Sequence, residues 1–246
     1  MGLFKILFPN RAVAREKRVD VPDLLADGEI ASVRVRRNPR ARRISVRVDA
    51  SDGSIALTVP WHTSVERGIG FVRGQRDWLK ARLAAVPDRV EFAPGSRFSY
   101  QGQPVMVARV ERGPTHLEGG ILHVAGAPEF AERRVRDWLK AQARRMLAEK
   151  SHALAATTGR KVAAIRIRDT RTRWGSAASN GTLAFSWRLV LAPPEVLDYV
   201  VAHEVAHLTH MNHSAEFWAL VARLYPGFER PRQWLAANGA HLLRHG

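Results

Sequence analysis

His203-Glu204-Val205-Ala206-His207-Leu208-Thr209-His210-Met211-Asn212-His213 carries four of the ten histidines of this 246-residue chain. The stretch continues a strongly apolar segment with Leu197, Val200 and Val201, behind Pro193-Pro194. Proline suits a helix start, where its missing N–H would have no partner in any case. A helix through this segment puts His203 and His207 on one face, about 6 Å apart along the axis. Two imidazoles so placed can share one Zn²⁺ at roughly 2.0–2.1 Å. Glu204 points to the side of the pair, where a carboxylate handles protons rather than ligating the ion. Solvated histidines on a polar face are a poor alternative, because buried polar groups need partners and this helix is the most apolar in the chain.

A third ligand has two candidates. His210 shares the face of His203 but would sit about 10.5 Å further along a continued helix, too far to share an ion. His213 can return only if the helix ends first. Asn212 tolerates the left-handed conformation that ends helices, and Ser214 is a good N-cap for the next one. The geometry therefore selects His213. Three histidines and an open position are what a catalytic zinc requires. The chain has no cysteine, so thiolate zinc sites and disulfides are excluded.

Outward from this segment the pattern is α+β. Val33-Arg34-Val35-Arg36, Ile44-Ser45-Val46-Arg47-Val48 and Ile55-Ala56-Leu57-Thr58-Val59 alternate with period two, as half-buried strands do. Asp52-Gly53 signals a hairpin turn between the last two. Residues 1–29 read as an irregular lead-in broken by Pro9, Pro22 and Gly28. Ser64 caps a helix expected to run to Val86, and strands are expected over 97–100, 105–110 and 121–124. A long helix is expected from Pro128 to Thr158. Arg-Asp-Trp-Leu-Lys-Ala occurs at 76–81 and at 136–141, read as two basic amphipathic helices that each pack a tryptophan. Further strands are expected over 164–168 and 182–191, then helices from Pro194, from Ser214 and over 231–243. Gly126-Ala127-Pro128 divides a β-rich region with one helix, 1–127, from a second region, 128–246; the two could also form one continuous domain.

Composition limits the function. Hydrophobic residues make up 46% and charged residues 25%, which excludes a disordered chain, a collagen and a coiled coil. No apolar run approaches the roughly 20 residues of a spanning helix. Met1 to Phe8 is too short for a signal-peptide core, so a cytoplasmic protein is expected. The net charge of +16 is focused: residues 34–47 hold seven arginines and no acid, and residues 131–173 hold thirteen basic against four acidic residues. Such a surface suits nucleic acid or nucleotide phosphates. Arginine also supplies most of the basic residues throughout the chain, as compositional bias alone would produce.

The motifs Trp174-Gly175-Ser176, Trp187-Arg188-Leu189, Ala192-Pro193-Pro194-Glu195, Asp198-Tyr199-Val200, His203-Glu204-x-x-His207-Leu208 and His213-Ser214-x-x-Phe217-Trp218 follow one another in order. Together they resemble the YgjP-like metallopeptidase-domain family and, more loosely, the SprT-like zinc proteins. The resemblance implies a zincin-like helical catalytic portion behind a β-rich N-terminal portion. It also implies one zinc ion on His203, His207 and His213, with Glu204 as catalytic acid/base. Such proteins typically have Gly-Ser-Cys after the tryptophan; here Ala177 replaces the cysteine, so a thiol role there is excluded. Arg173, Trp174, Arg188, Tyr199 and His210 are candidates for binding substrate or stabilising an oxyanion. Three functions compete. The first is a zinc-dependent metallopeptidase. The second is a nucleoside triphosphate pyrophosphatase, since some proteins resembling this family are described as UTP pyrophosphatases. The third is a nucleic-acid-binding module with a structural metal, reached through the basic N-terminal surface. A P-loop mechanism is excluded, because no G-x-x-x-x-G-K-[ST] stretch exists.

Overall fold

Period-two alternation builds the first part of the chain. The computed structural model describes residues 16–26, 28–49 and 51–246. Three strands, β2 (Ile30–Asn38), β3 (Ser45–Val48) and β4 (Ile55–Pro60), occupy the three alternating stretches. The Asp52-Gly53 turn joins β3 to β4 antiparallel, but β2 runs parallel to β4, so the strands lie in the order β2-β4-β3. The two strands in the arginine-rich segment 34–47 therefore flank β4 on opposite sides. That order lets Val33, Val35, Ile55, Leu57 and Val59 bury one common face.

The lead-in also differs from its reading. β1 (Glu16–Pro22) is a strand antiparallel to β2. Val19 and Val21 alternate with charged neighbours, and Pro22 stands at the end of an edge strand, where a missing N–H is tolerated. Residues 1–15, including the apolar stretch from Met1 to Phe8, lie outside the described residues. Ser64 caps the next helix as expected, its Oγ accepting the Arg67 N–H at 3.2 Å. The helix then breaks at Gly74-Gln75 into α1 (Val65–Arg73) and α2 (Arg76–Ala84), glycine being a weak helix former. In both copies of the hexapeptide the leucine is buried, Leu79 and Leu139. Trp78 is 40% exposed, so the expectation that each copy packs its tryptophan fails for the first.

The second part places two small sheets around buried helices. β5 (Arg97–Tyr100), β6 (Gln103–Val110), β7 (His116–Glu118) and β8 (Ile121–Ala125) form a sheet in the order β5-β6-β8-β7. After a 3₁₀ turn at Pro128–Phe130 comes α3 (Ala131–Ala156), which buries Val135, Leu139, Ala143 and Leu147 at intervals of four. β9 (Ala164–Arg168), β10 (Gly175–Ala177) and β11 (Thr182–Ser186) form a sheet in the order β10-β11-β9. The strand expected to reach Leu191 ends at Ser186, and Trp187–Leu191 is a fully buried 3₁₀ segment. α4 (Pro194–Ala206), α5 (Ala215–Leu224) and α6 (Glu229–Leu243) complete the chain.

The architecture is α+β. The chain forms two compact units that divide at Asp88 and Arg89, earlier than the Gly126–Pro128 position read from the sequence. The reason is packing: Phe98, Tyr100, Val105, Val107, Leu122 and Val124 share one core with the helices that follow. Among the described residues no helix is long and apolar enough to cross a membrane.

Candidate metal centre

α4 is apolar nearly all round: Val196, Leu197 and every residue from Tyr199 to Ala206 are buried, as expected for a helix enclosed by the core. Its last turn carries His203 and Glu204, and His207 is the C-cap. The helix closes through 3₁₀-type bonds, Leu208 N to Val205 O and Thr209 N to Ala206 O, both at 3.0 Å. The reversal therefore precedes Asn212, and no left-handed residue at 212 is needed. Asp23 and Gln101 are the non-glycine residues with positive φ among the described residues. Ser64's role at α1 is repeated at α5, where Ser214 Oγ accepts the Phe217 N–H at 3.5 Å.

This short reversal brings His213 back over the helix. His213 Nε2 lies 3.2 Å from His203 Nε2, and the ligand nitrogens of His203, His207 and His213 all lie within 4.8 Å of one another. Two ligands at about 2.0–2.1 Å on a tetrahedral ion stand about 3.3–3.4 Å apart, so the His203–His213 spacing is that of a shared ion. His207 Nδ1 donates to the His210 carbonyl at 2.9 Å, which fixes the tautomer that leaves Nε2 free to ligate. Phe217 backs all three rings, with centroids 5.0, 4.5 and 4.8 Å from His203, His207 and His213.

Burial sets the protonation of the site. It pushes His203 down to about 3, helped by the neighbouring His207, His213 and Arg232. Burial also lowers His207 and His213. In all three rings burial favours the neutral form that ligation demands. Glu204 is buried and pushed up to about 8, with the Arg173 cation opposing the rise. Its Oε2 is buried without a hydrogen-bond partner. β10 passes directly over this carboxylate: a Cβ on Gly175 would stand 2.6 Å from Glu204 Cγ and 2.7 Å from Cδ, and closer still to Oε1. A glycine there is what lets Glu204 occupy its place.

The remaining sequence candidates divide. Arg173 acts on Glu204 through its charge, and Trp174 precedes Gly175 while packing near Gly239 of α6. Tyr199 lies one turn before His203, with ring centroids 6.0 Å apart. Its hydroxyl is buried without a partner, and burial pushes it up to about 12. His210 contributes its backbone carbonyl. Arg188 does not join the group: its guanidinium is buried, pairs with Asp169, and donates to the His245 carbonyl at 3.1 and 3.3 Å. Gly175, Phe217 and Arg232 were not singled out as site residues from the sequence. Arg232 lies on α6 with its guanidinium 4.8 Å from the Trp218 ring, and nothing in the sequence distinguishes it from its many arginine neighbours.

Residues 42–238 match the family described as "YgjP-like, metallopeptidase domain". None of the curated proteins compared matches the chain. One solved structure, the metallopeptidase zymogen abylysin of Pyrococcus abyssi, is 24% identical over 40% of this chain and 97% of its own, with a TM-score of 0.34.

Proposed function

The chain belongs to the YgjP-like metallopeptidase domain family, and from that premise we propose that it is a zinc-dependent peptidase. In this reading His203, His207 and His213 hold one zinc ion and Glu204 is the general base. The observation that carries it is the convergence of three imidazoles, two of them 3.2 Å apart at Nε2, beside a buried carboxylate. Bound zinc would supply the Lewis acidity that polarises a peptide carbonyl and acidifies water. With a cation held by the three histidines favouring its ionised form, Glu204 would take the proton of the attacking water and return it to the departing amide nitrogen. Arg173 offsets part of the cost of the ionised carboxylate. The tight passage of Gly175 holds that carboxylate in place.

β10 supports a peptide as substrate. It pairs with β11 on one side and ends its sheet, directly above Glu204. An extended peptide added to its other edge would gain main-chain hydrogen bonds beside the general base, the recognition mode of strand addition. The test is cleavage of an unfolded protein by the zinc-loaded chain. Glu204→Gln should retain zinc and lose about 10²–10⁴-fold in rate; equal cleavage by both proteins would refute the role of Glu204.

One observation favours a second reading, hydrolysis of a nucleoside triphosphate. A cavity of about 410 Å³ opens beside His207, lined by Arg160, Lys161, Ser179 and Asn180 among others, and its two cations suit phosphates. Pyrophosphate release from a nucleotide panel, absent in Glu204→Gln, would replace the peptidase reading with this one.

A further inference from the structure

The β7–β8 hairpin holds a second group of ligand-bearing side chains, sharing no residue with the first. β7 pairs antiparallel with β8 in a register that sets His116 directly opposite His123 and Glu118 opposite Ile121. The two-residue connection is Gly119-Gly120, both with positive φ at 55° and 79°. That backbone is the tight turn that matches strand twist and locks hairpin register. Leu117 and Leu122 face the core, so alternation puts His116, Glu118 and His123 together on the opposite face. The two imidazoles stack with centroids 4.9 Å apart and planes 19° from parallel.

The His116 ring is oriented as metal-binding histidines are. Its Nδ1 donates to the Pro114 carbonyl at 3.1 Å. A carbonyl oxygen can only accept, so in the neutral ring Nε2 keeps its lone pair, the arrangement outer-sphere partners impose on ligand histidines. That Nε2 lies 3.9 Å from Glu118 Oε2, and one ligand atom from each of the three residues lies within 4.8 Å of the others. Ligands sharing one ion at about 2.0–2.2 Å stand about 3.3–3.5 Å apart. The exposed His116 and Glu118 and the half-buried His123 cover that difference by small rotations.

We propose that His116, Glu118 and His123 form a second divalent-metal site, two imidazoles and one carboxylate, suited to Zn²⁺. Bound there, the ion ties the three-residue edge strand β7 to β8 across a hairpin that otherwise has few ladder bonds. Two imidazoles and a carboxylate favour a borderline ion over Ca²⁺ or Mg²⁺, which take oxygen ligands.

Zinc titration of the full-length protein by calorimetry tests this. The wild type should bind two equivalents, and His116→Ala/His123→Ala should bind one while keeping its far-ultraviolet circular dichroism. His213→Ala, which perturbs only the α4–α5 centre, should still bind zinc at the hairpin. In that variant, zinc should slow hydrogen exchange in the β7–β8 amides. Glu118→Gln should weaken the hairpin site at least roughly ten-fold, the smallest loss expected when even an outer-sphere partner is removed. A bound-zinc count that is unchanged by His116→Ala/His123→Ala would overturn the assignment, whether the wild type binds one equivalent or two. Loss of the α4–α5 centre alone would leave the hairpin signal unchanged, so the two sites fail separately.

Discussion

Gly175→Ala isolates the contact on which the placement of Glu204 depends. Gly175 is not among the glycines with positive φ, so its backbone accepts alanine and the whole perturbation is the added methyl. That methyl would meet Glu204 Cγ at 2.6 Å and Cδ at 2.7 Å, where carbon atoms rest at about 3.5–4.0 Å. Glu204 or the β10 backbone must therefore move by about 1 Å. Overpacking of this kind costs about 1–3 kcal/mol, offset by the roughly 0.4–1 kcal/mol that alanine contributes by restricting the unfolded chain. A net loss of about 1–2 kcal/mol is expected in urea unfolding of the zinc-free protein. In the Glu204→Ala background the atoms in conflict are gone, so Gly175→Ala should be neutral or slightly stabilising. The four-protein cycle should give a coupling of at least about 1 kcal/mol, well beyond the 0.3–0.5 kcal/mol scatter of independent sites. Peptide hydrolysis by Gly175→Ala should fall about 10²-fold, the usual consequence of misplacing a catalytic group by 1 Å, while zinc affinity is retained. Equal costs of Gly175→Ala in the two backgrounds would refute the contact and with it the positioning argument.

Three other outcomes follow from the same geometry. His213→Ala should lower zinc affinity by more than roughly 100-fold and His210→Ala only slightly, because His210 acts through its carbonyl; a chelator competition that ranked them the other way would exchange the third ligand. The raised Glu204 group keeps its proton in the folded state up to about 8, above its unfolded value. The folded state thus binds more protons through this window, and the contribution is lost as pH rises. Between pH 6.5 and 8, above the window of the depressed histidines, zinc-free wild type should lose about 2 kcal/mol relative to Glu204→Gln; parallel stability curves would contradict this. Arg188→Ala should destabilise by about 1–3 kcal/mol, discounted for the half-exposed Asp169, and leave zinc affinity unchanged in the same titration. A drop in affinity instead would return Arg188 to the site.

What could be read in the chain was whatever depends on near neighbours. His203 and His207 are four apart, and their common face follows from helix geometry. The choice of His213 over His210 rested on helix geometry as well. The structure brings the His213 ring beside the other two, although the turn that delivers it uses 3₁₀ closure rather than Asn212. The strand alternations in 33–59 were equally local. Their pairing was not, because a parallel β2–β4 contact and a β3–β4 turn leave the same period-two pattern as a meander. Gly175 escaped because a missing side chain has meaning only beside Glu204, twenty-nine positions on. Arg188 misled for the same reason: its neighbours Trp187 and Leu189 suggest a motif, whereas its partners are Asp169 and the carbonyl of His245 near the end of the chain.

The burial that hides these long-range contacts is also an argument for a bound cation at the proposed centre. Three imidazoles and a carboxylate occupy the end of a helix whose other faces are apolar, and an unpartnered buried polar atom such as Glu204 Oε2 costs roughly 1–3 kcal/mol. The C-terminal end of a helix also carries partial negative charge, which favours a cation within its last turn. In the proposed reading the zinc-free protein holds groups that gain their partner only when an ion is bound. Zinc should then raise stability by about 1.4 kcal/mol for each tenfold of free ion above its Kd. The Glu204→Ala protein should be the more stable of the two without zinc and the inactive one with it. A wild type no less stable than Glu204→Ala in chelator would mean that the buried carboxylate already has its partner within the protein, and that its unpaired Oε2 is not the cost of catalysis.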